Sequence, residues 1–165
     1  MGMVIVMRGP SGVGKSHYVK ENCPGAVVCS ADEFFWHMAP RGLDPRGSIL
    51  PFELRDGRYY QYQFDATKLP QAHCWCFDIY LRNLCARKEL VVVDNTSIPR
   101  WEYEHYLTAA DLAGYDTQVV DLCPETRDAM RMCVERNTHG VPATIIARKC
   151  LEFEYHPGSH RPVIR

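Results

Sequence analysis

Short apolar runs alternate with amphipathic stretches along most of the chain. The apolar runs are rich in valine and lie at 3–7, 26–30, 89–96 and 117–122. Because turn-forming residues bound them, they predict strands that are buried on both faces. Helical periodicity is found at 15–22, 69–87, 99–112, 124–137 and 142–154. Strands that alternate with helices predict an α/β fold, with a parallel sheet covered by helices on both faces.

One segment, from about 37 to 58, interrupts this alternation. Residues 38–58 contain three prolines, three glycines and four arginines and show little periodicity. Such a length is typical of a functional loop or a small inserted subdomain rather than a plain connector. The last residues, from about 156 to 165, have no core pattern and predict an extended, exposed tail.

Composition indicates one globular domain over residues 1–165. The chain has 165 residues, 46% of them hydrophobic, and a formal net charge of -1. This charge does not predict a broad basic surface, so a polyanion would have to bind a local patch. The apolar run at 3–7 is too short for a signal peptide or a membrane span. We therefore expect a cytoplasmic or otherwise intracellular protein that does not bind membranes.

The eight cysteines form no CxxC pair and predict reduced thiols rather than a disulfide framework or a metal site. Cys74 and Cys76 are the closest pair, but on a helix their side chains point about 200° apart. His73, His105 and His139 have no spacing that converges on a metal. The sequence therefore predicts no cysteine or histidine metal site.

The stretch that follows the first predicted strand has the spacing G-x-x-x-x-G-K-[ST]. Its residues are Gly9, Pro10, Ser11, Gly12, Val13, Gly14, Lys15 and Ser16. A strand, this loop and a helix form a phosphate-binding P-loop, in which backbone N–H groups surround the phosphates. Lys15 is expected to reach the β- and γ-phosphates and Ser16 to bind Mg²⁺. We predict that all eight residues bind a nucleotide.

Two aspartates follow predicted strands, where an open α/β sheet places its ligands. Asp32, in "SADEFF", could accept the proton of an attacking hydroxyl. It could instead cap a helix that begins at Glu33. Asp94 ends "LVVVD", a pattern typical of an aspartate near Mg²⁺ or the acceptor. The alternative is that Asp94 and Asn95 only form the turn that ends the strand.

Three arginines lie in the predicted helix at 124–137. With Arg127 at 0° on a helical wheel, Arg131 lies at about 40° and Arg136 at about 180°. One helix therefore cannot direct all three to the same phosphate. Arg136, near the helix end, is the candidate for a lid arginine that neutralises transition-state charge, or it only stabilises the helix dipole. Arg131 is assigned to nucleotide binding.

The stretch "RDGRYYQYQF" combines arginines with aromatic residues. Arg55 and Arg58, with the tyrosines beside them, could bind a nucleic-acid backbone and stack bases. The alternation of Tyr60, Tyr62 and Phe64 is equally typical of one face of a strand or hairpin.

The order of these motifs resembles one family. The P-loop, "SADEFF", "GRYYQYQFDATKLPQAHCWC", "VVVDNTSIPRWEYEHY" and "RNTHGVP" follow one another over residues 3–154. In this order they are similar to the polynucleotide-kinase-like P-loop kinases, which include phage-type 5′-hydroxyl polynucleotide kinases and the kinase modules of Nedd-binding proteins. The resemblance implies a P-loop kinase fold of four or five parallel strands that transfers the γ-phosphate of ATP to a 5′-hydroxyl of DNA or RNA.

The resemblance also implies roles for individual residues. Lys15 and Ser16 would hold phosphates and Mg²⁺, and Asp32 would be the general base. Asp94, with Asn95 beside it, would order the metal or the acceptor. Arg136 would be the lid arginine.

This chain departs from the phage-type pattern at the acceptor site. Those enzymes carry an arginine three residues beyond the base, where this chain has Phe35. The segment at about 37–56 is inserted relative to the family. Acceptor binding is therefore expected to use arginines from this region, namely Arg41, Arg46, Arg55 or Arg58.

Two other functions stay open at this point. One is a kinase for a small metabolite or a sugar-nucleotide, as in zeta-toxin-like relatives of the same architecture. The other is a nucleotide-gated binding module with little turnover. The sequence leaves the oligomeric state open.

Overall fold

The computed structural model describes residues 2–39 and 52–163. Its strands are β1 (Met3–Arg8), β2 (Val27–Cys29), β3 (Trp36–Met38), β4 (Phe52–Arg55), β5 (Arg58–Tyr62), β6 (Leu90–Asp94) and β7 (Asp116–Asp121). Its helices are α1 (Lys15–Asn22), α2 (Leu69–Cys85), α3 (Glu104–Leu112), α4 (Arg127–Glu135) and α5 (Ala143–Leu151). Among the described helices, none is long and apolar enough to cross a membrane.

The central sheet has four parallel strands in the order β2-β6-β1-β7. Successive residues of β1 alternate between two apolar clusters. Val4 and Val6 pack with residues of α2 and α3, whereas Ile5 and Met7 pack with residues of α1, α4 and α5. Both faces are covered, and for this reason the strands are continuously apolar. The predicted four-stranded parallel sheet with helices on both faces is confirmed.

Two predicted helices, α3 and α4, begin well after the proline at which their pattern starts. Thr126 caps α4, because its Oγ1 accepts a hydrogen bond from the Ala129 N–H at 3.1 Å. The predicted helix at 99–112 is divided into a short 3₁₀ helix, Arg100–Glu102, and α3. Tyr103 separates the two with a non-helical φ of -131°, and it is only 2% exposed. Packing of this buried ring, rather than periodicity, sets the start of α3.

The described residues of the predicted insertion, together with the residues that flank it, form a small sheet. Its three antiparallel strands have the order β3-β5-β4. Asp56 and Gly57 join β4 to β5 with positive φ angles of 47° and 73°, as the two central residues of a type I′ hairpin turn require. Tyr60 and Tyr62 lie on one face of β5, so the strand interpretation is confirmed for these two residues, whereas Phe64 lies beyond the end of the strand. Residues 40–51, with Arg41 and Arg46, lie outside the described residues.

The tail after α5 extends the central sheet. His160 pairs in parallel with Val120 of β7. Its N–H donates to the Val119 carbonyl, and its own carbonyl accepts from the Asp121 N–H, each at 2.9 Å. Val163 beyond it is 84% exposed. The tail is thus exposed over part of its length but is tied to the sheet edge at His160.

Arg8, at the end of β1, is fully buried. Its guanidinium donates to Asp121 Oδ1 at 2.7 Å, to the Ser97 carbonyl at 2.8 Å, to the Ile98 carbonyl at 2.6 Å and to the Glu154 carbonyl at 2.7 Å. These bonds satisfy a charge that would otherwise be costly to bury. They also connect the P-loop strand to β7, to the turn after β6 and to the segment after α5.

Replacement of Asp121 by alanine is expected to lower the free energy of unfolding by about 3–5 kcal/mol, because it leaves the buried Arg8 charge uncompensated. Urea denaturation of the nucleotide-free protein measures this change. The control is Asp78→Ala, which removes an exposed partner of Arg82 and is expected to cost less than about 1 kcal/mol. Equal effects of the two substitutions would contradict a structural role for the buried pair.

Candidate active site

The P-loop connects β1 to α1 at the carboxyl end of the sheet, as predicted. Gly9, Gly12 and Gly14 have positive φ angles of 149°, 77° and 100°. Lys15 Nζ donates to the Gly9 carbonyl at 3.0 Å and to the Pro10 carbonyl at 3.1 Å. Burial lowers the pKa of Lys15 from its ordinary value, and this shift is opposed by nearby carboxylates. The lysine is therefore held inside the loop, where a phosphate would compensate its charge.

Gly12 brings the P-loop against α4. A Cβ atom at this position would overlap the backbone carbonyl of Cys133, far inside van der Waals contact. The residue must therefore be glycine for steric reasons as well as for its positive φ. The same close approach places the C-terminal end of α4, and Arg136 after it, next to the loop.

Gly12→Ala is expected to destabilise the nucleotide-free protein more than Gly14→Ala. Both substitutions place a side chain at positive φ, which costs about 1–3 kcal/mol. A Cβ at Gly14 meets no atom within 4 Å, whereas at Gly12 the overlap with Cys133 adds about 1–3 kcal/mol. Urea denaturation of both variants measures the difference. Equal midpoints would show that the loop and α4 do not pack as closely as described.

Ser16 and Asp94 form the predicted metal-side pair. Ser16 Oγ donates to Asp94 Oδ2 at 2.7 Å. Asp94 is 9% exposed, and its Oδ1 is buried without a hydrogen-bond partner among the described residues. A hydroxyl and a carboxylate oxygen are ligands that Mg²⁺ prefers, and Mg²⁺ at kinase sites takes its remaining ligands from water and phosphate. The two side chains therefore fit a magnesium ion.

Asn95, beside Asp94, supports the neighbouring segment. Its Oδ1 accepts from the Ala31 N–H at 2.8 Å, and its Nδ2 donates to Cys76 Sγ at 3.5 Å. The side chain is 7% exposed. Because both ends of its amide are engaged, Asn95 holds the turn that carries Asp32, while its predicted contact with substrate stays a prediction.

Asp32 lies in a 3₁₀ helix, Ala31–Phe35, directly after β2. Ser30 caps this helix, since its Oγ accepts from the Asp32 N–H at 3.3 Å. The alternative in which Asp32 itself caps a helix is therefore wrong. Its side chain is 52% exposed and lines the same cavity as Lys15. Such a position suits a base that must contact a substrate.

Two residues that the sequence did not identify contact Asp32. Tyr62 Oη donates to Asp32 Oδ1 at 3.3 Å, and His139 Nε2 lies 3.8 Å from Asp32 Oδ2. The tyrosine alternation placed Tyr62 on a strand, and "RNTHGVP" contains His139, but neither pattern indicates a contact with a residue after β2.

Two of the predicted arginines of α4 lie in different places. Arg136 follows the helix directly and lines the cavity. Arg131 is 71% exposed, pairs with Asp128 at 3.6 Å and is not among the residues that line the cavity. The buried Cys133 faces the P-loop, and this orientation directs Arg131 to solvent. The structure therefore does not bring Arg131 to the predicted nucleotide site.

Arg55 and Arg58, assigned to substrate binding, lie at the two sides of the hairpin turn and do not line the cavity. Arg55 donates to Glu33 at 2.6 Å and to Glu53 at 2.7 Å. Hydrogen bonds to these glutamates raise the pKa of Arg55. Because two carboxylates already compensate its charge, Arg55 is a weak candidate for binding an acceptor phosphate. It instead supports Glu33, which lines the cavity.

Lys15, Asp32 and Arg136 line one cavity of about 1180 Å³. It extends from Asp32 and Trp36, on the β2 side of the sheet, across the P-loop to His160 and Val163 of the tail. This volume exceeds the usual range of about 300–1,000 Å³ for a small-molecule site. The cavity therefore has room for more than one small molecule.

The parallel sheet, the P-loop and the helices on both faces define an α/β P-loop kinase fold. P-loop kinases use ATP, typically with Mg²⁺. The chain belongs to the AAA domain family AAA_33, whose model matches residues 4–153.

A human relative has a similar sequence. NEDD4-binding protein 2 of Homo sapiens is 27% identical over 160 residues, which are 93% of this chain and 8% of that protein. The chain thus spans less than a tenth of this relative. The match agrees with the resemblance to the kinase modules of Nedd-binding proteins.

Solved structures of other proteins share the fold. A gluconokinase from Sinorhizobium meliloti 1021 is 20% identical, with a TM-score of 0.53 and coverage of 97% of this chain and 81% of that one. The APS kinase CysC of Mycobacterium tuberculosis, solved with AMPPNP and APS, is 19% identical, with a TM-score of 0.53 and coverage of 98% and 87%. At these identities the likeness establishes the fold alone.

Proposed function

We propose that the protein transfers the γ-phosphate of ATP to a 5′-hydroxyl end of DNA or RNA. The observation that carries the kinase chemistry is the placement of Lys15, Asp32 and Arg136 around one cavity. The similarity to NEDD4-binding protein 2 and the order of the motifs support the nucleic-acid acceptor.

Each of these groups has a distinct task in the proposed reaction. Lys15 holds the β- and γ-phosphates, and Asp32 takes the proton of the attacking hydroxyl. A new O–P bond forms to the acceptor while the bond from the γ-phosphorus to its bridging oxygen breaks and ADP leaves. Arg136 stabilises the charge on the transferring group. Mg²⁺, held by Ser16 and Asp94 when bound, supplies further charge neutralisation.

Label transfer from γ-labelled ATP tests this proposal. We expect labelling of single-stranded DNA or RNA oligonucleotides that carry a 5′-hydroxyl, and no labelling of the same oligonucleotides with a 5′-phosphate. Equal labelling of both would contradict transfer to the 5′ end. Stabilisation by ATP without labelling of any acceptor would instead favour a nucleotide-gated binding module.

A kinase for a small metabolite or a sugar-nucleotide is the second candidate. It is favoured by Phe35, which occupies the position of the acceptor-binding arginine of the phage-type enzymes and is only 1% exposed. The ion pairs of Arg55 with Glu33 and Glu53 also favour this candidate, because they already compensate the charge that would bind an acceptor phosphate.

Salt dependence distinguishes the two candidates. An oligonucleotide held through several phosphates is expected to bind much more weakly as salt rises, whereas a neutral small acceptor is not. The KM of each labelled acceptor, measured at about 50 and 200 mM salt, gives this comparison.

A further inference from the structure

Three separate segments converge on the side chain of Asp32. Asp32 itself follows β2, Tyr62 ends β5 of the small sheet, and His139 lies in the turn after α4. The rings of Tyr62 and His139 also contact each other, with 4.8 Å between their centroids. In the described part of the chain, these two residues are the side chains that contact the Asp32 carboxylate.

Tyr62 is fixed in its position and in its protonation state. It is 4% exposed, and its ring packs on Phe35 and Trp36 at centroid distances of 6.1 and 5.3 Å. Burial, followed by the negative charge of Asp32, raises the pKa of Tyr62 above its ordinary value. Tyr62 therefore remains a hydroxyl that donates to Asp32 Oδ1. His139 Nε2 lies 3.8 Å from Oδ2, beyond hydrogen-bond distance, so Oδ2 can still accept from a substrate hydroxyl.

His139 is held by its own turn. Asn137 Oδ1 accepts from the His139 N–H at 3.3 Å, and Asn137 Nδ2 donates to the Val141 carbonyl at 2.9 Å. His139 follows Arg136 by three residues. The turn that carries Arg136, the proposed lid arginine, therefore also places the imidazole ring of His139 beside Asp32, the proposed base.

We propose that Tyr62 and His139 are positioning residues, which hold the Asp32 carboxylate in the orientation that accepts the proton of the acceptor hydroxyl. Asp32 needs such support because it is half-exposed on a short helix. This inference rests on the proposed function only for the role of Asp32 as the base. It also explains how the small sheet contributes to the active site, because β5 carries Tyr62.

Tyr62→Phe tests the inference, because it removes one hydroxyl and keeps the packed ring. We expect kcat to fall about tenfold, as for loss of a hydrogen bond to a charged group, while the KM for ATP stays within about twofold. The control is Tyr60→Phe, on the same strand and the same face, and kcat should not change. Equal kcat values for the two variants would overturn the inference.

A double-mutant cycle separates positioning from general structural support. In an Asp32→Asn background, Tyr62→Phe should cause no further loss, because there is no base to orient. His139→Ala should lower kcat, and His139→Gln should lower it less, because its amide keeps a polar group beside the carboxylate. A tenfold loss from Tyr62→Phe that persists in the Asp32→Asn background would show that the tyrosine acts elsewhere.

The inference and the proposed function can fail separately. If no 5′-hydroxyl acceptor is labelled, the proposed function is wrong, and the same variants are then compared in the hydrolysis of ATP by water. A slower hydrolysis by Tyr62→Phe than by Tyr60→Phe would still support positioning of Asp32. Equal hydrolysis rates would overturn it.

Discussion

Asp32→Asn is expected to lower the rate of phosphoryl transfer by about 10²–10⁴-fold, the usual contribution of a general base, without weakening ATP binding. Asparagine has nearly the same shape but cannot take the proton of the acceptor hydroxyl. The side chain lies on the β2 side of the cavity, whereas Lys15 and the P-loop lie in its centre. Single-turnover label transfer measures the rate, and thermal stabilisation by ATP measures nucleotide binding.

The matched control for this variant is Glu33→Gln. Glu33 is the next residue and also lines the cavity. The substitution likewise removes one negative charge, but from a side chain that is paired with Arg55. We expect its transfer rate to stay within about threefold of the wild type, as for a partly exposed ion pair. A comparable loss in both variants would show that local charge, rather than proton transfer to Asp32, limits the reaction. Full transfer by Asp32→Asn would refute the assignment of the base.

Arg136→Ala is expected to lower kcat by at least about 10³-fold, because an arginine that stabilises the transferring phosphoryl group contributes about 10³–10⁵. The loss should appear mainly in kcat, since the charge that Arg136 stabilises develops in the transition state. Arg136→Lys should recover only part of the activity, because lysine is a point charge without the planar donors of a guanidinium. Steady-state kinetics at saturating ATP measure both variants.

Arg131→Ala provides the comparison on the same helix. Arg131 is 71% exposed and pairs with Asp128, and it does not line the cavity. Its removal should therefore change kcat and the KM for ATP by less than about twofold, as expected for an exposed ion pair. A large effect at Arg131 with a small effect at Arg136 would reverse the assignment of the lid arginine.

Much of the fold could be predicted from the pattern of the chain. α1 begins at Lys15 and ends at Asn22, as its pattern indicated, and the apolar runs correspond to the four strands of the central sheet. The differences lie at helix ends, where single side chains decide. Thr126 delays the start of α4 by its cap, and Tyr103 divides the helix predicted at 99–112.

The candidate site could be predicted less completely, because its contacts join distant segments. The sequence placed Asn95 at a site beside Asp94. It did not indicate that the Asn95 side chain accepts a hydrogen bond from the N–H of Ala31, which lies 64 residues away in the chain. A helical wheel places Arg131 and Arg136 on different faces of the predicted helix. Only the packing of Cys133 against Gly12 determines which of the two arginines faces the cavity.

The sequence alone determined the four strands of the central sheet, the approximate positions of the helices and the P-loop, because these follow from local periodicity and from spacing within a few residues. It also determined which residue types can hold phosphate and Mg²⁺. Only the tertiary structure decided what surrounds the proposed base. Tyr62 is 30 residues from Asp32 in the chain, and His139 contacts it from the turn after α4. Contacts of this kind depend on how the small sheet and the lid turn pack against the central sheet, which no local pattern records.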